Sequence, residues 1–377
     1  MLFTSESVTS GHPDKICDQV SDAILDACLA QDPYSKVAID TCVKDNWVGL
    51  IGELTSNAKV DFEKIAREKI NEIGYNDDIL GFNGNTCEVL VKIGAQSNEI
   101  NKAVDKTDAE FGAGDQGIMF GFACKQTEEL MPLPIILAHR LAERLEILRK
   151  DMESKGDMRL RPDGKTQVTI EYDNKKNIVG IDTILISTQH SENISSSDIE
   201  ILLKEEVINN VLSEMNLTKY ISGKTKIFIN PSGSFILGGP VADSGLTGRK
   251  IVVDGYGGWG RVGGGAFSGK DSTKVDRSGA YAARFLAKQI VAKNWADECE
   301  IQVSYAIGKA EPVSLSLFGI LNKPEEEIIK YIKDSFNLRP AAIIRNLKLS
   351  LPIFSQTSAY GHFGRKPVGD TFGWEKI

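Results

Sequence analysis

A chain of 377 residues, 41% hydrophobic and 25% charged, has the composition of an ordinary soluble globular protein and the length for two or three domains. Its net charge of −8 argues against a general nucleic-acid or anionic-membrane surface, so any anion site has to be local. Six cysteines (Cys17, Cys28, Cys42, Cys87, Cys124 and Cys299) form no CxxC pair and no zinc spacing, the longest apolar runs are far too short to cross a bilayer, and MLFTSESVTS lacks the basic and apolar regions of a signal peptide; a reduced cytoplasmic enzyme is expected.

In chain order, 15–29 reads as an amphipathic helix with Ile16, Val20, Ala23, Ile24 and Ala27 along one face. Period-two alternation predicts strands at 36–43 and 47–54, then a helix over 60–73 and a strand at 86–93. The middle of the chain repeats the order, with a helix at 133–149, strands at 167–172 and 178–187, a helix at 198–212 and a strand at 226–230. The last third offers a helix at 275–292, strands at 300–307 and 312–318, and a Pro-initiated helix at 324–336. Helix, strand, strand, helix recurs at about one domain length, which predicts three α+β domains, each an open sheet covered by helices. We place them at 1–100, 113–233 and 234–377. Two long connections stand out: the polar 94–117, a candidate lid or binding loop, and 231–276.

From Arg249 to Arg277, six cations face three carboxylates, and eight of 29 residues are glycine. Glycine lets backbone N–H groups approach a ligand and form an anion-binding nest, and lysines at the rim then suit a polyphosphate. Gly264 to Lys270 matches G-x-x-x-x-G-K, but Asp271 stands where a P-loop needs Ser or Thr, and no apolar strand precedes it. That reading fails while the phosphate logic survives. Asp276, in Lys274-Val275-Asp276-Arg277-Ser278, is a natural helix cap and also a candidate magnesium ligand beside phosphates.

The early GHPDK, 11–15, places His12, Asp14 and Lys15 together just before a helix. Capping is the simplest use of Asp14, and Asp18, Asp22 and Asp26 at spacing four read as a solvated acidic face. His12 has no explanation as a cap, a core residue or part of a metal pair; a donor beside a carboxylate suits a nucleotide and its metal.

GHPDK, GAGDQG (112–117), GGGAFSGKD (263–271), KVDRS (274–278) and YGHFGR (360–365), with FTSESV, RPDGKTQVT (161–169) and NPSGSFILGGP (230–240), together resemble the S-adenosylmethionine synthetases over nearly the whole chain. The resemblance implies three similar α+β domains in pseudo-threefold arrangement, and transfer of the adenosyl group of ATP to the sulfur of L-methionine with hydrolysis of the triphosphate to pyrophosphate and phosphate. By resemblance, His12 supports the leaving triphosphate, Asp14 and Asp276 bind two Mg²⁺ ions per site, and Lys165, Arg249, Lys250, Lys270 and Lys274 surround ATP and its phosphates. Asp163, Ser234, Phe235, Asp243 and Ala266 complete the ATP set, with Phe235 against adenine. Glu53, Gln96, Asp115, Asp243 and Lys274 match methionine-binding positions, and 96–106 matches a flexible active-site loop. Asp40 stands where the family's glutamate ligand to K⁺ is expected, which puts the one K⁺ in doubt; Ser234 and Val262 replace a common arginine and histidine. The family's active sites form between two subunits, in a homotetramer built as a dimer of dimers. Tyr360 and Phe363 of YGHFGR are expected to pack, with His362 as a structural hydrogen-bonding group.

Overall fold

The computed structural model describes residues 1–96 and 111–377. The expected loop 96–106 therefore lies outside the described residues from 97 onward. Three sheets form, and each is built around one hairpin. In the first, β2 (Lys36–Lys44) and β3 (Trp47–Thr55) pair antiparallel across a turn at Asp45, whose φ of 51° is left-handed. Helix α2 (Phe62–Ile73) then carries the chain over to β4 (Glu88–Ala95), parallel to β3. An Asp61 side chain caps the start of α2, and Gly74 at φ 118° ends it, the residue type such a stop requires.

The second sheet repeats this plan. Strands β6 (Leu160–Tyr172) and β7 (Ile178–His190) form the hairpin. A helical stretch follows, α4 (Ser196–Leu203) running through a π-turn, Lys204–Asn209, into α5 (Asn210–Glu214). It leads to β8 (Lys226–Ile229), parallel to β7. The third hairpin is β10 (Ala296–Tyr305) with β11 (Ser314–Leu321), followed by α7 (Glu325–Ser335) and α8 (Pro340–Asn346).

The first strand of each hairpin gains a partner from elsewhere in the chain. Strand β9 (Gly245–Leu246) pairs with β2, β1 (Leu2–Val8) with β6, and β5 (Gly117–Cys124) with β10, all antiparallel. The blocks 1–100, 113–233 and 234–377 thus hand one strand each around a closed cycle. Immediately after its exported strand or the loop beyond it, each block forms a long helix: α1 (Pro13–Gln31), α3 (Leu133–Ser154) and α6 (Val275–Ala292). Each helix packs on its own hairpin and on the strand received from its neighbour. The result is the α+β architecture in three similar units that the pattern predicts. At the β5–α6 contact the approach is so close that a Cβ on Gly121 would lie 1.9 Å from the backbone of Ala283.

One continuous apolar core serves the first and third sheets, running from Ile16, Val20 and Ile24 of α1 to Leu286 and Ile290 of α6 and the buried Trp374. A second core lies between α3, α4, α5 and the β6–β7 hairpin. No helix among the described residues is long and apolar enough to cross a membrane.

Candidate active site

The start of α1 explains GHPDK. Tyr75, fully buried, donates to the carbonyl of Gly11 at 2.7 Å, and a Cβ at Gly11 would meet Pro162 at 2.4 Å, so the turn is fixed from two sides. His12 is the N-cap: its Nδ1 accepts from the Asp14 N–H at 3.2 Å. The expectation that His12 has no capping role is corrected. Burial, followed by the nearby Lys250 and Lys165 ammoniums, lowers its pKa to about 3. His12 is therefore neutral, and because Nδ1 accepts, its proton sits on Nε2 as a donor.

Asp14 is the second residue of α1, inside the helix rather than before it. Its carboxylate accepts from Lys250 Nζ at 2.6 Å and from the Leu246 N–H at 3.0 Å, with Arg249 Nε at 3.6 Å. Burial would raise its pKa, but the Lys250 bond and the Leu246 N–H outweigh it and hold the carboxyl below its ordinary value. Lys165 is exposed on β6, and the buried Asp163 accepts from the Gly239 N–H at 2.9 Å. The other carboxylate oxygen of Asp163 is buried without a hydrogen-bond partner among the described residues, and burial pushes its pKa up to about 6. Phe235 is held by a two-way bond with His190, donating to Nε2 at 3.0 Å and accepting from the His190 N–H at 2.9 Å. Ser234, its chain neighbour, and Asp243, just after the helical turn Gly239–Ala242, are exposed.

Helix α6 repeats the arrangement. Asp276 is again the second residue, and again a lysine meets it, Lys270 Nζ at 2.7 Å. Asp14 and Asp276 thus occupy equivalent places in two of the three repeats, whereas their lysines do not: Lys250 follows the received strand β9, and Lys270 precedes Asp276 by six residues in the same block. Gly265 packs so tightly that a Cβ would lie 2.1 Å from the Asp276 carboxylate carbon, and Ala266 lies against Gly248. Lys274 pairs with Asp271, which also accepts from the Val37 N–H at 2.6 Å and so pins the loop to β2. Lys270 bridges to Ala38 on β2, where Asp40 and, on β3, Glu53 are exposed. Asp115 is exposed ahead of β5, and Gln96, after β4, has a buried Oε1 without a hydrogen-bond partner among the described residues.

The acidic face of α1 is not solvated, and that expectation is corrected. Asp18 and Asp22 are fully buried. Asp18 accepts from Gly248 N–H, Asp22 from Gly269 N–H, and Asp26 from Phe354 and Ser355 N–H groups, all at 2.8–2.9 Å. With Asp14 on Leu246, the whole stripe holds backbone donors of the glycine-rich stretch and the C-terminal segment. The buried Lys15 joins Asp18 at 2.9 Å and Asp254, and Arg277 forms a two-point pair with Asp22 at 2.7 and 2.8 Å. Sequence reading missed Lys15, Asp18, Asp22, Tyr75, Asp254 and Arg277 as determinants of the site. A trace existed: acids at 14, 18, 22 and 26 lie on one helical face, interleaved with too many apolar residues to leave an exposed side. In YGHFGR, Phe363 stacks on Tyr256 at 4.9 Å, Tyr360 bonds Glu146, and His362 Nδ1 lies 2.7 Å from the Tyr281 hydroxyl, as structural roles require.

Chemically, each of Asp14 and Asp276 is a single hard-oxygen ligand neutralised by an ammonium. Among the described residues no group of three or more His, Cys, Asp or Glu could hold a metal alone. That donor set fits Mg²⁺, which is typically held by one or two carboxylates with substrate phosphates and water completing the shell. Potassium fits less well, because Asp40 brings one outward carboxylate and a cation there competes with Lys270.

Lysines and single aspartates gathered on glycine-rich turns are chemically suited to a substrate that carries phosphates. The comparisons agree. Family models for the N-terminal, central and C-terminal domains of S-adenosylmethionine synthetase match residues 1–98, 110–235 and 237–376. The S-adenosylmethionine synthase of Clostridium botulinum (strain Alaska E43 / Type E3) is 54% identical over 389 aligned positions, which cover all of this chain and 97% of that protein. The chain belongs to the S-adenosylmethionine synthetase family.

Proposed function

We infer that this chain is a methionine adenosyltransferase, joining ATP and L-methionine into S-adenosylmethionine and hydrolysing the displaced triphosphate with one water to pyrophosphate and phosphate. The observation that carries this is the family relationship over the whole chain, with all three domains in order. The site geometry is chemically suited to it. A thioether sulfur has no proton to lose, so the first step needs alignment and stabilisation of charge growing on the leaving oxygen, not a base. We assign that stabilisation to His12: a neutral imidazole with Nε2–H as donor, set in place by its own capping bond. Removing one donor of this kind typically costs about 10²–10³ in rate.

Asp14 and Asp276 are the residues that would hold two Mg²⁺ ions, which supply charge neutralisation on the triphosphate. Lys250 and Lys270, now paired with those aspartates, would turn to phosphate oxygens, together with Lys165, Arg249 and Lys274. In a partly buried cleft an opposite pair 4 Å apart attracts by about 4 kcal/mol, against about 0–1 at the surface. The unpartnered oxygens of Asp163 and Gln96 suit donors on the nucleoside and on the methionine ammonium respectively. Phe235 offers its face to adenine, with Ser234 and Ala266 beside the nucleotide. Glu53, Asp115 and Asp243 place negative charge where the sulfonium develops. Potassium at Asp40 is the least supported part of the reading.

Glu53 and Asp40 lie on an outward sheet face. A second copy of the chain over that face would complete the enclosure, and a homo-oligomer, as a dimer or a dimer of dimers, is proposed on this ground. The test of function is a product assay with purified protein, ATP, methionine and Mg²⁺. S-Adenosylmethionine with equal phosphate and pyrophosphate is expected; ADP and phosphate without a sulfonium product would overturn the reading.

A further inference from the structure

We propose that Asp22 and Arg277 are positioning residues that act through Lys270, clamping the Gly269–Lys270 segment from both sides; this rests on the assignment of Lys270 to the triphosphate. Neither residue reaches the surface. Asp22 Oδ1 accepts from the Gly269 N–H at 2.9 Å, and Arg277 Nη1 donates to the Lys270 carbonyl at 3.1 Å. The same two side chains close on each other through both guanidinium nitrogens, at 2.7 and 2.8 Å. Gly269 stands at φ 80°, and a Cβ there would meet the Ile39 carbonyl at 2.3 Å, so the segment has no room to shift towards β2.

The remaining donors of Arg277 are also occupied. Nε bonds the Tyr281 hydroxyl at 3.0 Å and Nη2 the Thr357 hydroxyl at 2.9 Å, while the guanidinium lies over the Phe354 ring at 4.3 Å. All of these neighbours are within the fold, so none of the five N–H groups is left to touch a substrate. Arg277 also directly follows Asp276 in the chain. One buried pair therefore fixes where the Lys270 ammonium starts and where the Asp276 carboxylate begins. A lysine could carry the charge of Arg277 but not its planar, two-point grip.

The test is a double-mutant cycle on the rate of S-adenosylmethionine formation, using Lys270→Ala, Arg277→Lys and the pair, with isotope-labelled methionine to keep slow variants measurable. Arg277→Lys alone is expected to lower kcat by about tenfold to a hundredfold, the scale of a misplaced catalytic group, with a smaller change in KM. In the Lys270→Ala background the same change is expected to cost less than about twofold, because what it positions is gone. Because breaking the pair can prevent folding, Thr357→Val serves as the mild variant, removing one acceptor of Arg277. It is expected to slow the wild type modestly and the Lys270→Ala variant not at all. Losses that multiply in full for whichever variants fold overturn the clamp and leave a purely structural pair. A wild-type chain that makes no sulfonium product removes the parent reading, an outcome distinct from multiplying losses in an active enzyme.

Discussion

His12 gains its role from where a helix starts. The capping bond orients the ring, and burial beside Lys250 and Lys165 keeps it neutral, so Nε2 is a fixed donor with no titration near neutral pH. His12→Asn is expected to cut adenosyl transfer strongly while sparing triphosphate hydrolysis more, measured as separate half-reactions; equal losses in both would end the leaving-group assignment. Protonation also bears on stability. Burial lowers the pKa of His139 to about 3, and its Nδ1 lies 2.8 Å from the Ser7 hydroxyl. The unfolded chain takes up that proton near the ordinary 6.5, which the folded chain refuses. Stability therefore falls as pH drops from 6.5 towards 3, by up to about 1.4 kcal/mol per pH unit for one such residue. Asp26 and Asp163, both raised to about 6 by burial, act the other way, with a contribution that is lost as pH rises towards 6. His139→Gln removes one titration and leaves the aspartates alone. Its acid-side slope of unfolding free energy should be shallower than wild type by about one proton; parallel slopes would show that His139 does not carry the effect.

Among the elements, α6 begins and ends where its periodicity predicts, and the three hairpins were legible because their partners are adjacent in sequence. Strands β1, β5 and β9 were not read. Each pairs with a strand on the far side of an intervening unit, so no local pattern records the partner. Strand β5 is further disguised by Gly121, which local propensity counts against a strand but which α6 requires at close approach. Gly121→Val should push α6 off the sheet and lower the melting temperature by at least about 5 °C, read by calorimetry. An unchanged melt would show that the contact relaxes freely. The candidate site residues were named by resemblance rather than by physics: the equivalence of Asp14 and Asp276 appears only once α1 and α6 are seen as one repeated helix. The acidic stripe of α1 misled because surface is the usual place for spaced aspartates. Here backbone N–H groups of another segment satisfy them instead.

At the scale of the molecule, the exchanged strands make the units interdependent, and the faces they leave bare bear on assembly. Leu90 on β4, Ile118 on β5 and Phe318 and Ile320 on β11 are all more than a third exposed, Ile118 on a strand otherwise largely buried and the others on strands that are largely open. Single exposed apolar residues need no explanation, but Leu90 stands on the sheet that also presents Glu53 and Asp40, which places apolar surface beside candidate ligand groups, and Ile118, Phe318 and Ile320 leave a second sheet similarly open. A stable pair of chains needs roughly 1,200–2,000 Å² of buried surface, within reach of flat sheet faces. If two copies meet there, activity and association have to be linked by mass action. Leu90→Glu and Ile320→Glu each place a charge on such a face without altering any proposed ligand contact. Each is expected to shift the enzyme towards monomer in sedimentation and to lower activity in dilute solution, with recovery as protein concentration rises. A wild-type enzyme that sediments as a monomer while fully active would exclude a shared site and require one chain to close it alone.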